Sequence, residues 1–420
     1  MQLQKPKLFP ERKGFVLVMG VLVFMLLIRL FFSYGNYQEF ISKPFYYTYA
    51  TVQMAYQKQK NEKYYTVLKL KSEEGYTFYT TTHRKENFHH KRLRLQIFPN
   101  ASIQFRDFLG TFYVKSKIKH QEKIPETFKN ELLENVASQH KNIALQTFYN
   151  AIFFATPLEA SLRDKIALLG VSHLVALSGF HLGILWGLLY GLLLLVYRPI
   201  QQKFFPYRHA LFDVGLVVMV LLGLYVWFVD FPPSLVRSYA MVLIGWGVLL
   251  LGMELLSFTF LTTILLTLVV LFPSLLVSLS FWLSVAGVFY IFLLLQHTQV
   301  YSAKVISFIF IPLGIFVLML PVVHGIFSVT SIYQLMSPLL SILFVPFYPL
   351  VMLLHLLGLG GICDNALLWL FTLPTQSVEH LLPLWAVASY VGISIWAIWY
   401  RKVFYSVLGF SILYGFYLFT

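Results

Sequence analysis

The 420-residue chain has 58% hydrophobic and only 12% charged residues, with a formal net charge of +14. A composition this apolar excludes a soluble globular enzyme or binding protein and predicts a polytopic α-helical membrane protein. The single cysteine, Cys363, excludes an intramolecular disulfide and a thiolate zinc cluster.

A membrane anchor is predicted near the amino terminus. Four basic residues, the last of them Arg12 and Lys13, precede an apolar run from Gly14 to Phe32 that is long enough to span a bilayer. No small-residue cleavage site follows this run. We therefore expect residues 1–32 to form an uncleaved first helix with its amino end in the cytoplasm.

Residues 33–126 are predicted to form a small extracytoplasmic β-domain. Residues 33–135 contain 17 basic and 10 acidic side chains and no run that could span a membrane. In RLRLQIF, residues 92–98, apolar and polar side chains alternate with the period of a strand. About five short strands are expected, which is compatible with an OB-like barrel or with another small β-barrel. The basic charge predicts a polyanion or anionic membrane lipid as partner.

About nine to eleven transmembrane or re-entrant helices are predicted in total. Residues 127–169 keep an apolar face and are expected at the membrane interface, with one helix beginning in the capping-box sequence Thr156-Pro157-Leu158-Glu159. The membrane domain then covers residues 170–360, and C-terminal helices cover 361–420. Predicted crossings lie at 170–197, 210–229, 234–252, 257–272, 274–296, 305–323, 335–358, 385–400 and 403–419. Whether residues 362–384 cross the membrane is left open.

The most informative motif is SHLVALSGFHLG, residues 172–183. Its two histidines and serine are costly at membrane depth unless they face protein or water. Glycines recur at every fourth position from Gly179 to Gly191, which forms a shallow groove on a helix. If residues 173–191 form one continuous helix, the polar and glycine faces are adjacent. This arrangement favours the wall of a passage, while packing between helices explains the same pattern.

Two further motifs follow in the chain. In FPPSLVRSYAM, residues 231–241, prolines and a serine begin a helix whose first turn carries Arg237. At a membrane boundary this arginine is either an interfacial anchor or a cation that meets phosphate. FPSLLVSLSFWLSVAGV, residues 272–288, places small and hydroxyl residues in a predicted helix, a composition typical of helix–helix packing.

In sequence and order, the three motifs resemble the core of the ComEC family of DNA-internalisation competence proteins. The resemblance covers residues 165–295 strongly and extends loosely to about residue 360, and the basic domain looks like that family's OB domain. Ser238, Trp282 and Val285 depart from the family's usual forms, which are close to HLLAISGLHVG, PSxxRAxxM and P…FQLSFxAV. The resemblance implies an inner-membrane channel that carries single-stranded DNA into the cytoplasm during natural transformation. It also implies a separate uptake pilus or DNA receptor, nuclease and cytoplasmic motor.

The resemblance, together with the glycine ladder, assigns a transmembrane DNA path. Its residues are His173, Ser178, Gly179, His181, Gly183, Pro233, Ser234, Arg237, Met241 and Ser284. In the OB-like domain, cationic side chains are expected to engage phosphates and aromatic ones to stack on bases. These residues are Lys69, Lys71, Tyr76, Phe78, Tyr79, Arg92, Arg94, Lys115 and Lys117. We expect no catalytic residue, metal or cofactor, and the HxHxDH cluster of the metallo-β-lactamase-like domain found in many family members does not occur in this sequence.

An intramembrane serine hydrolase is a second interpretation of the membrane domain. Ser178 would be its nucleophile, with His324 or His355 as the base on another helix. Rhomboid-type enzymes favour GxSG, whereas Ala176 occupies the first position here.

A proton-coupled solute transporter with a substrate-binding barrel is a third interpretation. Asp213, Asp230, Glu254 and His324 would be available for proton traffic. Many secondary transporters show internal repeats, and none is evident in this sequence. No P-loop sequence, GxxxxGK[ST], is present either, so a channel would be passive or driven by a partner.

Overall fold

The computed structural model describes residues 8–60, 63–84, 86, 88, 91–123, 128–250, 257–373 and 376–420. Glu254, a predicted proton carrier, lies outside the described residues. The chain divides into two compact units. One contains residues 9–127 and 262–281, and the other contains residues 1–8, 128–261 and 282–420.

The first unit contains one long helix and a β-sheet. Its elements up to residue 127 are α1 (Arg12–Ser42), β1 (Tyr46–Lys60), β2 (Lys63–Ser72), β3 (Thr77–Thr82), β4 (Lys91–Phe98), α2 (Phe105–Leu109), β5 (Thr111–Tyr113) and β6 (Lys115–Lys123). Helix α1 has 31 residues, a length of about 46 Å at 1.5 Å per residue. It therefore exceeds the hydrocarbon core of about 30 Å. Its last turns carry Phe40, which is buried in the core of the sheet.

The strands form a six-stranded sheet in the order β5-β3-β2-β1-β4-β6. All neighbours are antiparallel except β3 and β5, which are parallel. The prediction of a closed barrel is wrong, because the edge strands β5 and β6 do not pair with each other within the described residues. The last extended stretch of this domain, residues 111–123, is divided at Val114 into β5 and β6. Its two parts pair with different partners, β5 with β3 and β6 with β4.

The predicted alternation in β4 is confirmed. Leu93, Leu95 and Ile97 are buried, whereas Arg94 between them is exposed. Leucines of β2 and Phe78 of β3 join the same core, which α2 closes with Phe108. One face of the sheet is therefore apolar and covered, and the opposite face carries the charged side chains.

The second unit and residues 262–281 are almost entirely helical. Their helices are α3 (Phe128–Ser138), α4 (Ile143–Phe154), α5 (Ala160–Leu168), α6 (Ser172–Val175), α7 (Gly179–Phe204), α8 (Ala210–Phe228), α9 (Pro233–Leu250), α10 (Phe258–Leu271), α11 (Leu279–His297), α12 (Ala303–Val305), α13 (Ile311–His324), α14 (Ser337–Leu356), α15 (Asp364–Thr372), α16 (Leu384–Trp396) and α17 (Arg401–Phe419). A π-helical turn, Ile306–Phe310, joins α12 to α13, and short 3-10 turns lie at Pro273–Val277, Ile332–Met336 and Gly360–Cys363. Two short strands, β7 (Val329–Thr330) and β8 (Val378–Glu379), pair antiparallel.

Eight helices in the described part of the chain are long and apolar enough to cross a membrane. They are α1, α7, α8, α9, α11, the continuous stretch Ala303–His324, the stretch Ile332–Leu356 that contains α14, and α17. The chain is thus a multi-pass helical membrane protein. The predicted crossings at 257–272 and 385–400 correspond to α10 and α16, which have 14 and 13 residues. At 1.5 Å per residue these helices reach about 20 Å, which is short for a full crossing.

Two boundaries differ from the predicted ones. Helix α5 begins at Ala160 and not in the predicted capping box, since Ala155 caps α4 in the left-handed region (φ 59°) and the next four residues are not helical. Residues 362–384 do not form one spanning helix. They contain the nine-residue α15 and the strand β8.

Candidate functional site

The segment 172–183 is a broken helix. Helix α6 ends at Val175, the next residues are extended, and α7 begins at Gly179. The hydroxyl of Ser178 accepts a hydrogen bond from the Phe180 backbone at 3.3 Å, and the Ser178 N–H donates to His181 Nδ1 at 3.3 Å. These contacts satisfy groups that a helix start leaves unpaired. Residues 173–191 therefore do not form one continuous helix, and the adjacent polar and glycine faces expected from such a helix do not follow.

His181 is fully buried behind this break. Its ring meets Phe344 and Tyr348 of α14 edge to face, with centroid distances of 5.1 and 4.9 Å. Its Nε2 atom is buried and has no hydrogen-bond partner among the described residues. A buried polar atom left without a partner costs about 1–3 kcal/mol. In this conformation His181 caps α7 and packs against α14.

His173 lies on the other side of the break and is exposed. Its Nε2 is 3.2 Å from the hydroxyl of Ser341 on α14. One turn earlier on α14, Ser337 donates to the carbonyl of Gly170 at 3.0 Å. Helix α14 therefore holds the segment before the break as well as the segment after it, a role that the sequence did not indicate.

The second motif packs directly against the break. The Ser234 hydroxyl donates to the Leu177 carbonyl at 2.6 Å, and a Cβ added to Gly179 would lie 3.2 Å from Ser238 Cβ. In the same helix, α9, Pro233 is exposed, Met241 is half-buried and Arg237 is only 7% exposed. Burial of Arg237 by protein does not support its interpretation as an interfacial anchor.

The glycine ladder has two parts with different surroundings. Gly179 contacts α9, whereas no atom lies within 4 Å of a Cβ added to Gly183, Gly187 or Gly191. These three exposed glycines leave an open strip along α7, the glycine groove. Ser284 of the third motif is exposed on α11, and no hydrogen bond joins it to the first two motifs within the described ranges.

Substitution of Gly179 should test how closely α7 and α9 approach each other. We expect Gly179→Ala to destabilise the protein by about 1–3 kcal/mol, because the new methyl group overpacks against Ser238. The added Ser238→Ala substitution should restore part of this loss by removing the hydroxyl that lies 2.9 Å from the added carbon. Thermal unfolding of the full chain in detergent measures both effects.

Gly183→Ala is the matched control for this experiment. Its methyl group enters open space, so stability should be unchanged or should rise by up to about 1 kcal/mol, the difference in helix propensity between alanine and glycine. An equal loss at both positions would contradict the close contact at Gly179.

The six predicted cations of the β-sheet lie on one face. Thr51 of β1 pairs with Lys71 of β2 and with Arg92 of β4, so these three side chains share a face. Gln96, on the same face of β4 as Arg92, pairs with Lys117 of β6. The remaining cations, Lys69, Arg94 and Lys115, lie two residues away from Lys71, Arg92 and Lys117 in the same strands, so they lie on the same face. Arg92 also forms an ion pair with Glu73, which neutralises part of the face.

The aromatic predictions for this face are only partly supported. Tyr79 is half-buried and lies opposite Lys69 in the ladder. Phe78 is fully buried, so it cannot stack on a base and that assignment is wrong. The ring of Tyr76 packs against Phe40 and Phe108 with centroid distances of 5.8 and 5.0 Å, which makes it part of the core edge.

Two tyrosines of β1 that are not part of the predicted site also lie on this face. The Arg92 guanidinium lies 4.8 Å from the centre of the Tyr49 ring, and that of Arg94 lies 5.7 Å from the Tyr47 ring. Their alternate spacing in YYTYAT, residues 46–51, was the available signal. Arginine and tyrosine side chains thus cover the exposed face together.

The contacts of the histidines do not assemble a serine hydrolase. His324 bonds to the Leu320 carbonyl and to the Thr330 hydroxyl, both at 3.0 Å. His355 bonds to another histidine, and the imidazole next to Ser178 is that of His181, whose Nδ1 accepts the Ser178 N–H. Neither proposed base contacts the proposed nucleophile among the described residues.

The carboxylates suggested for proton traffic form ion pairs. Asp213 pairs with Arg208 at 2.5 Å and also accepts from Tyr197. Asp230 pairs with Lys129 at 2.6 Å. Both contacts hold neighbouring segments together, as structural ion pairs do.

Comparison with known proteins identifies the family. The family model described as competence protein matches residues 155–416, well over half of the chain. No curated protein and no solved structure matches. The matched region contains the broken helix, α9 and α14, so the packed motifs lie within it. The chain belongs to the competence protein family, in agreement with the ComEC-like form of its three motifs.

Proposed function

We propose that this protein is an inner-membrane channel through which single-stranded DNA enters the cytoplasm during natural transformation. Membership of the competence protein family supports a role in DNA uptake. The observation that carries the channel proposal is the broken helix between α6 and α7, with the open glycine groove that continues along α7. A helix that breaks and restarts in a membrane domain is typical of segments that line a cavity.

The charge of DNA requires such a lined route. Each nucleotide carries a phosphate, and charge at the bilayer centre is costly unless it meets protein or water. Glycines at positions 183, 187 and 191 leave open space beside α7. Arg237, buried in the adjoining helix α9, is the cation that we assign to this route.

The basic face of the β-sheet is proposed to collect the strand. Arg94, Lys115 and Lys117 are exposed and would engage phosphates. The tyrosines at positions 47 and 49 would stack on bases without sequence preference. Binding of this kind is sequence-independent, as uptake of arbitrary DNA requires.

The proposed orientation follows the positive-inside rule. Arg12 and Lys13 are the first two residues of α1, and Arg208 lies in the loop between α7 and α8, so we assign both regions to the cytoplasm. The β-sheet is then extracytoplasmic. A separate pilus or receptor, a nuclease and a cytoplasmic motor complete the proposed system, with membrane lipid surrounding the helices.

An uptake assay with labelled DNA tests this function. Cells without the protein should still bring DNA into a nuclease-protected outer compartment but should accumulate none in the cytoplasm. Cells with Ser178→Ala should retain delivery, because the serine caps a helix and a lost cap costs about 1 kcal/mol. Unchanged cytoplasmic DNA without the protein would contradict the channel, and labelling of Ser178 by a fluorophosphonate probe would favour a hydrolase.

A further inference from the structure

Two buried histidines and a half-buried aspartate form a chain of hydrogen bonds outside the sequence motifs. His140 Nδ1 lies 2.9 Å from Asp364 Oδ1, and His140 Nε2 lies 2.9 Å from His355 Nε2. His355 Nδ1 lies 2.6 Å from the Val351 carbonyl. His140 follows α3, His355 lies in the last turn of α14, and Asp364 begins α15. The chain of contacts therefore joins three separate parts of the second unit.

The number of protons in this chain follows from its donors and acceptors. Three consecutive hydrogen bonds need three protons, one for each bond. Two neutral imidazoles bring two protons, and an ionised carboxylate brings none. The carbonyl at Val351 can only accept, so His355 Nδ1 must donate to it. One additional proton is required, whichever of the three side chains formally carries it.

The surroundings make this additional proton consequential. His140 and His355 are 3% and 6% exposed, so water does not easily replace a missing bond. The Tyr149 ring stacks on the His140 ring at 4.4 Å, and its buried hydroxyl has no hydrogen-bond partner in the described part of the chain. The titratable groups facing the pair are the Asp364 carboxylate, the Tyr149 phenol and the neighbouring Cys363 thiol. An imidazolium beside the ionised carboxylate leaves the cluster electrically neutral.

Further contacts fix the two imidazoles in place. The Gln139 side chain donates to the His355 carbonyl at 3.0 Å and accepts the Gly360 N–H at 2.8 Å. The Gln146 side chain donates to the His140 carbonyl at 2.8 Å. The close approach of the two Nε2 atoms is thus set by contacts from both sides.

We propose that His140, His355 and Asp364 form a proton-binding site that holds one proton between the two imidazoles and thereby fastens the segment around His140 to the end of α14. Loss of this proton would leave one hydrogen bond of the chain without a proton. Either the two Nε2 lone pairs would face each other at 2.9 Å, or the His140 Nδ1 lone pair would face the ionised carboxylate at 2.9 Å. The two facing groups would then have to separate. Since α14 also supports the broken helix through Ser337 and Ser341, the proton stabilises an element of the proposed path.

A metal ion is the other ligand that two imidazoles can share. Both oxygens of Asp364 face the Nδ1 atom of His140 and not its Nε2 atom. Within this cluster, only the Nε2 atoms of His140 and His355 are therefore placed to share one ion. No group of three or more metal-binding side chains occurs within the described ranges. A proton needs two nitrogen atoms, whereas zinc sites have at least three protein ligands.

Nitrogen-15 NMR of the full chain, labelled in histidine and reconstituted in liposomes at pH 7.5, tests the site. Exposed histidines with a pKa near 6.5 are then only about one-tenth protonated. We expect one imidazolium signal with the intensity of a full site. It should disappear in His140→Gln and in Asp364→Asn. In the control His297→Gln, which removes a histidine bonded to a backbone carbonyl elsewhere, it should persist.

Two results with the wild-type protein would overturn the proposal. One is a wild-type spectrum in which all histidines are neutral at pH 7.5, a result that does not depend on the folding of any variant. The other is a spectrum that shows metal-bound imidazoles and changes on addition of EDTA. Persistence of the imidazolium signal in a folded His140→Gln variant would also reject the assignment to this site.

Discussion

Replacement of Arg237 by alanine is expected to lower DNA delivery to the cytoplasm by about 10- to 100-fold. A hydrogen bond to a charged group contributes about 1.5–3 kcal/mol, and 1.4 kcal/mol corresponds to a factor of ten. Arg237 is buried in α9, next to the contacts that Ser234 and Ser238 make with the broken helix. Its loss therefore removes the cation that the proposed route places among packed helices. Labelled DNA recovered from the cytoplasm measures the effect.

Two further variants separate charge from folding at this position. Arg237→Lys keeps the positive charge and should retain more delivery than the alanine variant. Arg163→Ala removes an exposed arginine from α5 of the same unit and should leave delivery unchanged. Equal delivery by wild type and Arg237→Ala, with equal amounts of protein in the membrane, would contradict the role of Arg237.

The second large effect is expected at the basic face of the sheet. Arg94→Ala should weaken binding of single-stranded DNA to the purified full chain and reduce its dependence on salt. Each phosphate contact to a single strand contributes about 0.7 to the slope of log K against log salt concentration. Loss of one contact should therefore lower the slope by about that amount. Fluorescence anisotropy with a labelled oligonucleotide at several salt concentrations measures it.

Arg106 provides the matched control for this measurement. It belongs to α2 of the same unit, its side chain is 77% exposed, and it lies outside the basic face. Arg106→Ala removes the same charge and should change the slope far less than Arg94→Ala. If both substitutions lower affinity and slope equally, binding depends on the net charge of the unit and not on the proposed face.

Much of the fold could be predicted from local sequence. The crossing expected at 210–229 is helix α8, Ala210–Phe228, because an uninterrupted apolar run leaves few alternatives. Pro233 correctly indicated the start of α9, since proline fits the first turn of a helix. The alternation in RLRLQIF gave the buried and exposed faces of β4. These features depend on neighbours in sequence.

The features that were missed depend on distant contacts. The break before Gly179 is stabilised by Ser234, 57 residues away from Leu177, and apolar periodicity continues across it. The extended stretch 111–123 is divided at Val114 into β5 and β6, which pair with different strands although strand propensity continues across the division. His140 and His355 are separated by 215 residues. Each imidazole by itself is also compatible with simple packing.

The role of α14 in the candidate site shows the same limit. Ser337, Ser341, Phe344 and Tyr348 recur at helical spacing and all contact the segment around the break. The spacing indicates one face of a helix, and the partner of that face is set only by the tertiary fold. The first two motifs, by contrast, were each recognisable in the sequence, and their direct packing is observed.

Photocrosslinking of a DNA strand arrested during uptake tests the proposed route most directly. A photoreactive residue in place of Gly183 would enter the open groove beside α7. One in place of Leu413, which is 70% exposed on α17, serves as the control. We expect the strand to crosslink at position 183 and not at position 413. Active uptake with no crosslink at position 183, or with equal crosslinking at both positions, would contradict a route along this groove.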